Sequence, residues 1–159
     1  MLIPVLSSCA YSFGGASIPK EMKTVTVRVF ENNAPIVVPT LSNLFTEAVK
    51  TRIRNQTSLG VVPNDGQAIF EGRITGYDIK PVALQSSATP TAGANRLTIT
   101  VSVKYTNTLK TTDSFEESFT RYFDFPLNGA SIQSLTPQAI DNINKQLTED
   151  IFNRAFAQW

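Results

Sequence analysis

Few side chains in this sequence could perform chemistry. There is no histidine, and Cys9 is the single cysteine. A Ser-His-Asp triad, a Cys-His pair and a histidine-containing zinc site are therefore excluded, and no intrachain disulfide can form. Catalysis would have to use carboxylates, lysines, tyrosines or hydroxyls, and these act only where the fold brings them together.

The acidic residues are not spaced as a catalytic pair. Glu116 and Glu117 are adjacent in a predicted strand, so their side chains point to opposite faces. Glu149 and Asp150 are adjacent in a predicted helix and also diverge. No Walker, Rossmann or EF-hand motif is present. The sequence therefore predicts a protein that is not an enzyme, with no metal site and no cofactor.

Composition favours one compact domain without a nucleic-acid partner. The 159 residues suit a single domain, and 42% of them are hydrophobic, which is enough for one core. The formal net charge is +1, whereas proteins that bind duplex nucleic acid usually carry a basic surplus. No stretch approaches the ~20 apolar residues of a membrane-spanning helix.

Cys9 is the best candidate for a modified residue. Leu6-Ser7-Ser8-Cys9 fits the bacterial lipobox, in which the thiol accepts diacylglycerol. Residues 1–8 would then be a partial lipoprotein signal peptide, because they lack the positive start of a complete one. Residues 9–22 would be an extended lipid-anchored leader, and residues 23–159 a single domain. The alternative is an ordinary buried cysteine near a frayed terminus.

Cations near two predicted turns form a candidate anion site. Four of them could bind the phosphates of an anionic glycolipid: Lys80, Arg96, Lys104 and Lys110. The alternative is that they keep these loops solvated. The polar side of the predicted strand 97–105, with threonines, a serine and a lysine, is a second candidate contact surface.

The first half of the domain has a strand pattern followed by a helix pattern. Residues 23–30 place Val25, Val27 and Val29 on one side of a strand. A helix is predicted to begin at Leu41 after a Thr40 cap. Its buried side is a single apolar stripe: Leu41, Leu44, Phe45, Ala48, Val49 and Ile53.

The second half is predicted to contain three more strands. In the first, residues 67–80, Gly72 and Gly76 share a face and mark a bulge or a close approach. Residues 81–95 are predicted to form a long mobile loop. Strand 97–105 alternates most clearly. The last strand carries a row of phenylalanines that is interpreted mainly as core, although part of it could contact a partner: Phe115, Phe119, Phe123 and Phe125.

A second helix is predicted to close the chain. Thr136 would be its cap and Pro137 its first residue. The resulting order is β-α-β-β-β-α. It predicts an α+β fold, a two-layer sandwich in which two helices pack on one face of a four-stranded mixed sheet.

The sequence resembles the lipopolysaccharide-assembly lipoprotein family, LptE, over nearly the whole mature chain. No single motif is decisive, and the resemblance lies in the order of several structural ones. They are Cys9-Ala10-Tyr11-Ser12-Phe13, residues 15–19, Val25-Thr26-Val27, residues 32–35, Pro39-Thr40-Leu41-Ser42, residues 45–48 and residues 150–156.

The resemblance implies a function that the residues alone do not supply. Members of the family sit at the periplasmic side of the outer membrane and plug the LptD β-barrel translocon. They assist its folding and help pass lipopolysaccharide to the outer leaflet, and some bind lipopolysaccharide directly. The expected partners are thus an LptD-type barrel, the outer membrane through the lipid anchor, and possible lipopolysaccharide at the four cations above.

Three other functions fit parts of the pattern. A lipid-anchored surface or periplasmic binding or structural lipoprotein, unrelated to lipopolysaccharide, would share Cys9 and the sandwich but lack a barrel partner. A lipid carrier would need an apolar cavity in place of a filled core. A hydrolase is disfavoured by the absence of histidine.

Overall fold

The computed structural model describes residues 17–84 and 91–157. Within them the chain forms six strands, two α-helices and one short 3-10 turn. In chain order they are β1 (Thr24–Val27), β2 (Glu31–Asn32), α1 (Leu41–Gln56), β3 (Gly60–Val61), β4 (Ala68–Leu84), β5 (Thr91–Asn107), the 3-10 turn Thr111–Asp113, β6 (Phe115–Pro126) and α2 (Ile132–Phe156). Cys9 and the leader up to residue 16 lie outside the described residues.

All six strands belong to one mixed sheet. Its order is β3-β1-β4-β5-β6, and β2 also pairs with β4. β1 is parallel to β3 and β4, β2 is parallel to β4, and β4, β5 and β6 form antiparallel pairs. The predicted four strands are therefore wrong in number. The strand expected at residues 23–30 is the shorter β1, and β2 follows it at Glu31–Asn32. Each of β2 and β3 has two residues, which is too short to show an alternating pattern.

β4 and β5 form a hairpin far longer than predicted. Their pairing continues to Leu84 and Thr91, so the prediction of a loop at residues 81–95 is wrong. Of that range, residues 85–90 lie outside the described residues. Pro81 pairs with Asn95 of β5, and no other described strand pairs with this part of β4, so Pro81 is at an edge of the sheet. An edge position tolerates the missing proline N–H, which is why proline does not end the strand there.

A bulge separates the two glycines of β4. Ile74 pairs with Val101 and Gly76 pairs with Thr100, so one extra residue lies between them. The side-chain alternation is reversed at this point. Gly72 therefore lies on the face that the helices cover, whereas Gly76 lies on the other face, and the expectation that they share a face is wrong.

α1 begins at Leu41, as predicted, although the Thr40 side chain makes no capping hydrogen bond. Phe45, Val49 and Ile53 are buried, but Leu44 is 50% exposed and Ala48 is half-buried. The buried stripe follows every fourth residue and faces the sheet. Leu44 lies a quarter-turn away, so its predicted place in that stripe is wrong.

α2 begins at Ile132, five residues earlier than the predicted start at Pro137. Ser131 is the N-cap, and its side chain accepts a hydrogen bond of 3.2 Å from the Ser134 backbone N–H. Pro137 is inside the helix, and Thr136 donates its hydroxyl to the Ile132 carbonyl at 2.7 Å. Pro137 is the sixth residue of the helix and has no N–H, so it cannot make the usual helical hydrogen bond to the Gln133 carbonyl.

The core lies between the two helices and one face of the sheet. The inward row of β5 is buried as predicted: Leu97, Ile99, Val101, Val103 and Tyr105. In the first strand the predicted alternation fails at two positions: Thr26 is buried, and Val29 is 60% exposed. The Thr26 hydroxyl accepts the Gly66 N–H at 2.9 Å, which satisfies this buried polar group. The α+β class, the two helices and the mixed sheet are thus confirmed.

None of the helices described is both long and apolar enough to cross a membrane.

Candidate functional site

The side of the sheet that the helices leave uncovered, here called the outer face, is polar. It carries the alternate side chains of β5, namely Thr98, Thr100, Ser102 and Lys104, which are half-buried or exposed as predicted. The Thr100 and Thr120 hydroxyls lie 2.9 Å apart across the β5–β6 pair and form a hydrogen bond. The outer face is therefore a broad hydrophilic surface held on a rigid sheet.

Two of the four candidate cations meet on the outer face. Lys80 and Arg96 are direct partners in the β4–β5 register. Arg96 donates two hydrogen bonds to the Asp124 carboxylate, at 2.7 and 2.8 Å, and its guanidinium lies 4.0 Å from the centre of the Tyr122 ring. Lys80 pairs with Asp78 at 2.9 Å, and both of these side chains are largely exposed. Lys80 is thus the more available cation of the two.

The other two candidate cations lie elsewhere. Lys104 is eight residues from Arg96 on β5, roughly 26 Å at about 3.3 Å per residue. It pairs with Glu71 at 3.2 Å, and Arg28 binds the same carboxylate at 2.6 Å. Lys110 is in the turn after β5 and pairs with Asp113 at 2.8 Å. The structure therefore does not gather the four cations into one site.

The Arg96–Asp124 pair gives the hairpin end of the outer face a pH-dependent contact. Hydrogen bonding from Arg96 holds the pKa of Asp124 below its ordinary value of 3.8. Because this pKa is lowered by folding, the pair stabilises the folded state at pH values above the pKa that Asp124 has in the unfolded chain. The stabilisation is lost as the pH falls through the lower pKa of Asp124 in the folded protein.

We therefore expect Asp124→Asn to lower the free energy of unfolding by a constant amount above about pH 5, with the difference shrinking below pH 4. The difference should be small, because both side chains are partly exposed and water screens the pair. Urea unfolding of both proteins from pH 3 to pH 7 measures it. A difference that grows on acidification would contradict the assignment.

The row of phenylalanines on β6 is covered by α2. Phe125 is buried, and the three others are half-buried against the core. Two ion pairs hold α2 to this strand: Arg121 binds Asp150 through two hydrogen bonds of 2.6 and 2.7 Å, and Arg154 binds Glu117 at 3.0 Å. The interpretation of the row as core is therefore confirmed.

A groove between α1 and α2 was missed from the sequence. Leu44 and Ala48 of α1 line it, together with Pro137, Ile140 and Asn144 of α2. The apolar pattern gave Leu44 a buried place, and nothing in the spacing indicated that the two helices stay apart there. Among the described residues, no group of three or more histidine, cysteine, aspartate or glutamate side chains could hold a metal ion.

Several solved structures share the fold at low sequence identity. A candidate neuraminyllactose-binding hemagglutinin homologue from Helicobacter pylori is 10% identical, with a TM-score of 0.57 over 90% of this chain and 88% of that one. The PelC dodecamer from Paraburkholderia phytofirmans is 9% identical, with a TM-score of 0.53 over 92% and 95%. The hypothetical protein CT253 from Chlamydia trachomatis is 8% identical, with a TM-score of 0.53 over 86% and 99%. These likenesses concern the fold alone.

No curated protein matches the sequence. The model of the LptE family, described as lipopolysaccharide-assembly, matches residues 22–155. That range runs from just before β1 almost to the end of α2 and includes both helices and the whole sheet. The resemblance noted in the sequence is confirmed, and the chain belongs to the lipopolysaccharide-assembly family LptE, as an LptE-type lipoprotein of the cell envelope.

Proposed function

We propose that this protein is anchored in the outer membrane through a lipid on Cys9 and plugs an LptD-type β-barrel translocon. In that position it assists assembly of the barrel and helps deliver lipopolysaccharide to the outer leaflet. LptE is a non-enzymatic family, and we propose that this member also acts by binding and not by catalysis. The family match supports the assignment to lipopolysaccharide assembly, and the outer face supports the role as a plug.

The outer face carries the plug proposal because most of its charged side chains form ion pairs within the protein. Arg28 and Lys104 share Glu71, and Arg96 is bound by Asp124. Barrel interiors are wet and lined with polar groups, so a domain inside one needs a hydrophilic surface without large unbalanced charge. A rigid sheet with hydroxyls and internally paired ions provides such a surface.

Lys80 and Arg96 are the proposed contacts for lipopolysaccharide phosphates on this face. Exposed ion pairs contribute little, so Lys80 can exchange Asp78 for a phosphate at low cost. Arg96 is held by two hydrogen bonds and would have to share its guanidinium with Asp124. Lys104 and Lys110 could contact phosphates only separately, because each lies apart from this pair.

Site-specific crosslinking tests the plug proposal. A photoreactive amino acid at Ser102, in the middle of the outer face, should crosslink to a large outer-membrane β-barrel in intact cells. The control is the same residue at Glu149, which is exposed on α2 away from that face; its yield of the barrel adduct should be at least several-fold lower.

Both variants must first reach the outer membrane in equal amounts, as measured by fractionation. An absence of any barrel adduct from Ser102, with the protein properly located, would contradict the proposal. That result would favour a lipid-anchored structural lipoprotein without a barrel partner.

A further inference from the structure

Strand β6 is one edge of the sheet, and its free side is long and regular. It pairs with β5, and no other described strand pairs with it. The β5–β6 register runs without a shift from Ala94–Pro126 to Tyr105–Phe115, so no bulge bends the strand. Its sequence, FEESFTRYFDFP, has no lysine, and its proline is the last residue. Bulges, lysines and prolines commonly protect edge strands, and without them an edge can pair with another strand.

The hydrogen-bonding groups on this free side follow from the register. Leu127 donates its N–H to the Gly93 carbonyl at 2.8 Å, in continuation of the β5–β6 pairing. Alternate residues of an antiparallel strand bond to the same neighbour, so the odd-numbered residues of β6 are bonded to β5. The even-numbered residues direct their N–H and C=O groups outward, where a further strand can bond to them: Glu116, Ser118, Thr120, Tyr122 and Asp124.

The helix side of this edge is also left partly open by α2. The side chains of Glu117 and Arg121 are each 47% exposed, and Phe119 between them is half-buried. Arg154 donates one hydrogen bond to Glu117, at Oε2, which leaves Oε1 for a second contact. Asp150 accepts from Nε and Nη2 of Arg121, which leaves Nη1. Both charged residues can therefore bind a second partner across the edge.

The sequence of β6 is close to palindromic about Phe119, and this selects a second copy of the chain as the partner. If two β6 strands pair antiparallel with Phe119 at the centre, residues equally far before and after Phe119 lie opposite each other. Glu117 then faces Arg121 of the second copy, and Arg121 faces Glu117. The remaining opposite pairs also match in type: Ser118 with Thr120, Glu116 with Tyr122, Phe115 with Phe123, and Phe119 with its own copy.

Neighbouring registers lack this match. A register centred on Thr120 places Glu116 opposite Asp124, and one centred on Arg121 places two arginines opposite each other. Like charges directly opposite are destabilising. We propose that β6 pairs with β6 of a second copy, antiparallel and centred on Phe119, so that two sheets join into one. This dimer is formed by protein that is not held in a barrel, and the inference does not depend on the plug proposal.

Ser118→Pro should weaken the dimer and keep the fold. The Ser118 N–H points to the free side, so proline removes no β5–β6 hydrogen bond but removes a donor to the second copy. We expect the dimer Kd to rise about tenfold or more, because the donor is lost from both copies. Ser118→Thr retains the N–H and is the matched control. Sedimentation equilibrium of the full chain carrying Cys9→Ser gives the Kd, and circular dichroism during heating checks the fold.

Reversing one charge at a time provides a test that a purely structural role would not pass. Glu117→Arg places arginine opposite Arg121 of the second copy, and Arg121→Glu places two glutamates opposite each other. Each variant alone should dimerise about tenfold more weakly than the wild type, since the reversal affects two symmetric pairs. An equimolar mixture of the two variants should regain the wild-type Kd, because every reversed residue then faces an opposite charge.

The wild type is expected to dimerise at micromolar concentration. A wild type that stays monomeric up to about 1 mM would overturn the proposal and leave the edge to a strand of another protein. Dimerisation of Ser118→Pro as tight as that of Ser118→Thr would also overturn it. So would a mixture of Glu117→Arg and Arg121→Glu that dimerises no more tightly than either variant alone.

Discussion

Replacing Cys9 with alanine is expected to move protein that is produced in excess of its barrel partner from the membrane fraction to the soluble fraction while its fold is kept. Each buried CH₂ of an acyl chain contributes about 0.8 kcal/mol, so the two or more chains on a lipidated cysteine provide stable anchoring, and the substitution removes them. The core of the domain is built from residues 22–156, which the substitution leaves intact.

The measurement is fractionation of cells that express the wild type behind a complete lipoprotein signal sequence and Cys9→Ala behind a secretory signal with its own cleavage site, followed by a high-salt wash of the membranes. Ser8→Ala is the matched control, since it keeps a small residue before the cysteine and should remain anchored. Thermal unfolding of the soluble Cys9→Ala protein checks its fold. Retention of Cys9→Ala on washed membranes would show that another contact holds the protein there.

Gly72→Ala should have the largest effect on stability of any single methyl addition in the β4–β5 hairpin. A Cβ at this position would overlap the backbone oxygen of Ser102 on the neighbouring strand and touch the ring of Phe30. Backbone in the middle of an antiparallel ladder cannot move aside without breaking the pairing of β4 with β5. We expect the free energy of unfolding to fall by about 3 kcal/mol, at the upper end of overpacking costs.

Gly93→Ala is the control for this prediction. Gly93 is exposed on β5, and a Cβ there would meet nothing within 4 Å. Its stability should stay within about 0.5 kcal/mol of the wild type, as for most surface substitutions. Urea unfolding of the three proteins gives the comparison. Equal stability of the two variants would show that β4 and β5 are not as close at Gly72 as the structure places them.

Local patterns predicted those elements whose two sides face clearly different surroundings. β5 has the helices on one side and solvent on the other, so its alternation of Leu97 and Ile99 with Thr98 and Thr100 could be followed directly. Most of the buried side of α1 could be predicted for the same reason. The helix stripe at Phe45, Val49 and Ile53 reflects a single buried face.

The remaining features depend on contacts between distant parts of the chain. Thr26 is buried because Gly66, 40 residues away, donates to its hydroxyl. Strand β3 exists only through its pairing with β1. The length of the β4–β5 hairpin depends on mutual pairing that continues through Pro81, a residue that had predicted a loop. No local pattern encodes these partners, so the sheet was predicted with too few strands.

The candidate site was predicted only in its residue types. The four cations were grouped because they lie near two predicted turns. In the structure the β4–β5 register places Lys80 beside Arg96, whereas Lys104 and Lys110 lie away from that pair. Their carboxylate partners lie both near and far in the sequence: Asp78 and Asp113 are within three residues, whereas Asp124 and Glu71 are on other strands. The groove between α1 and α2 depends on the packing of two complete helices and has no local signal in the sequence.

The central claim is that this LptE-family protein is the partner of an outer-membrane β-barrel. It is tested most directly by purifying the tagged, lipidated protein from outer membranes in mild detergent and identifying what elutes with it. We predict one large β-barrel in equal molar amount, retained through gel filtration. A lipidated, folded protein that elutes alone under these conditions would contradict the claim.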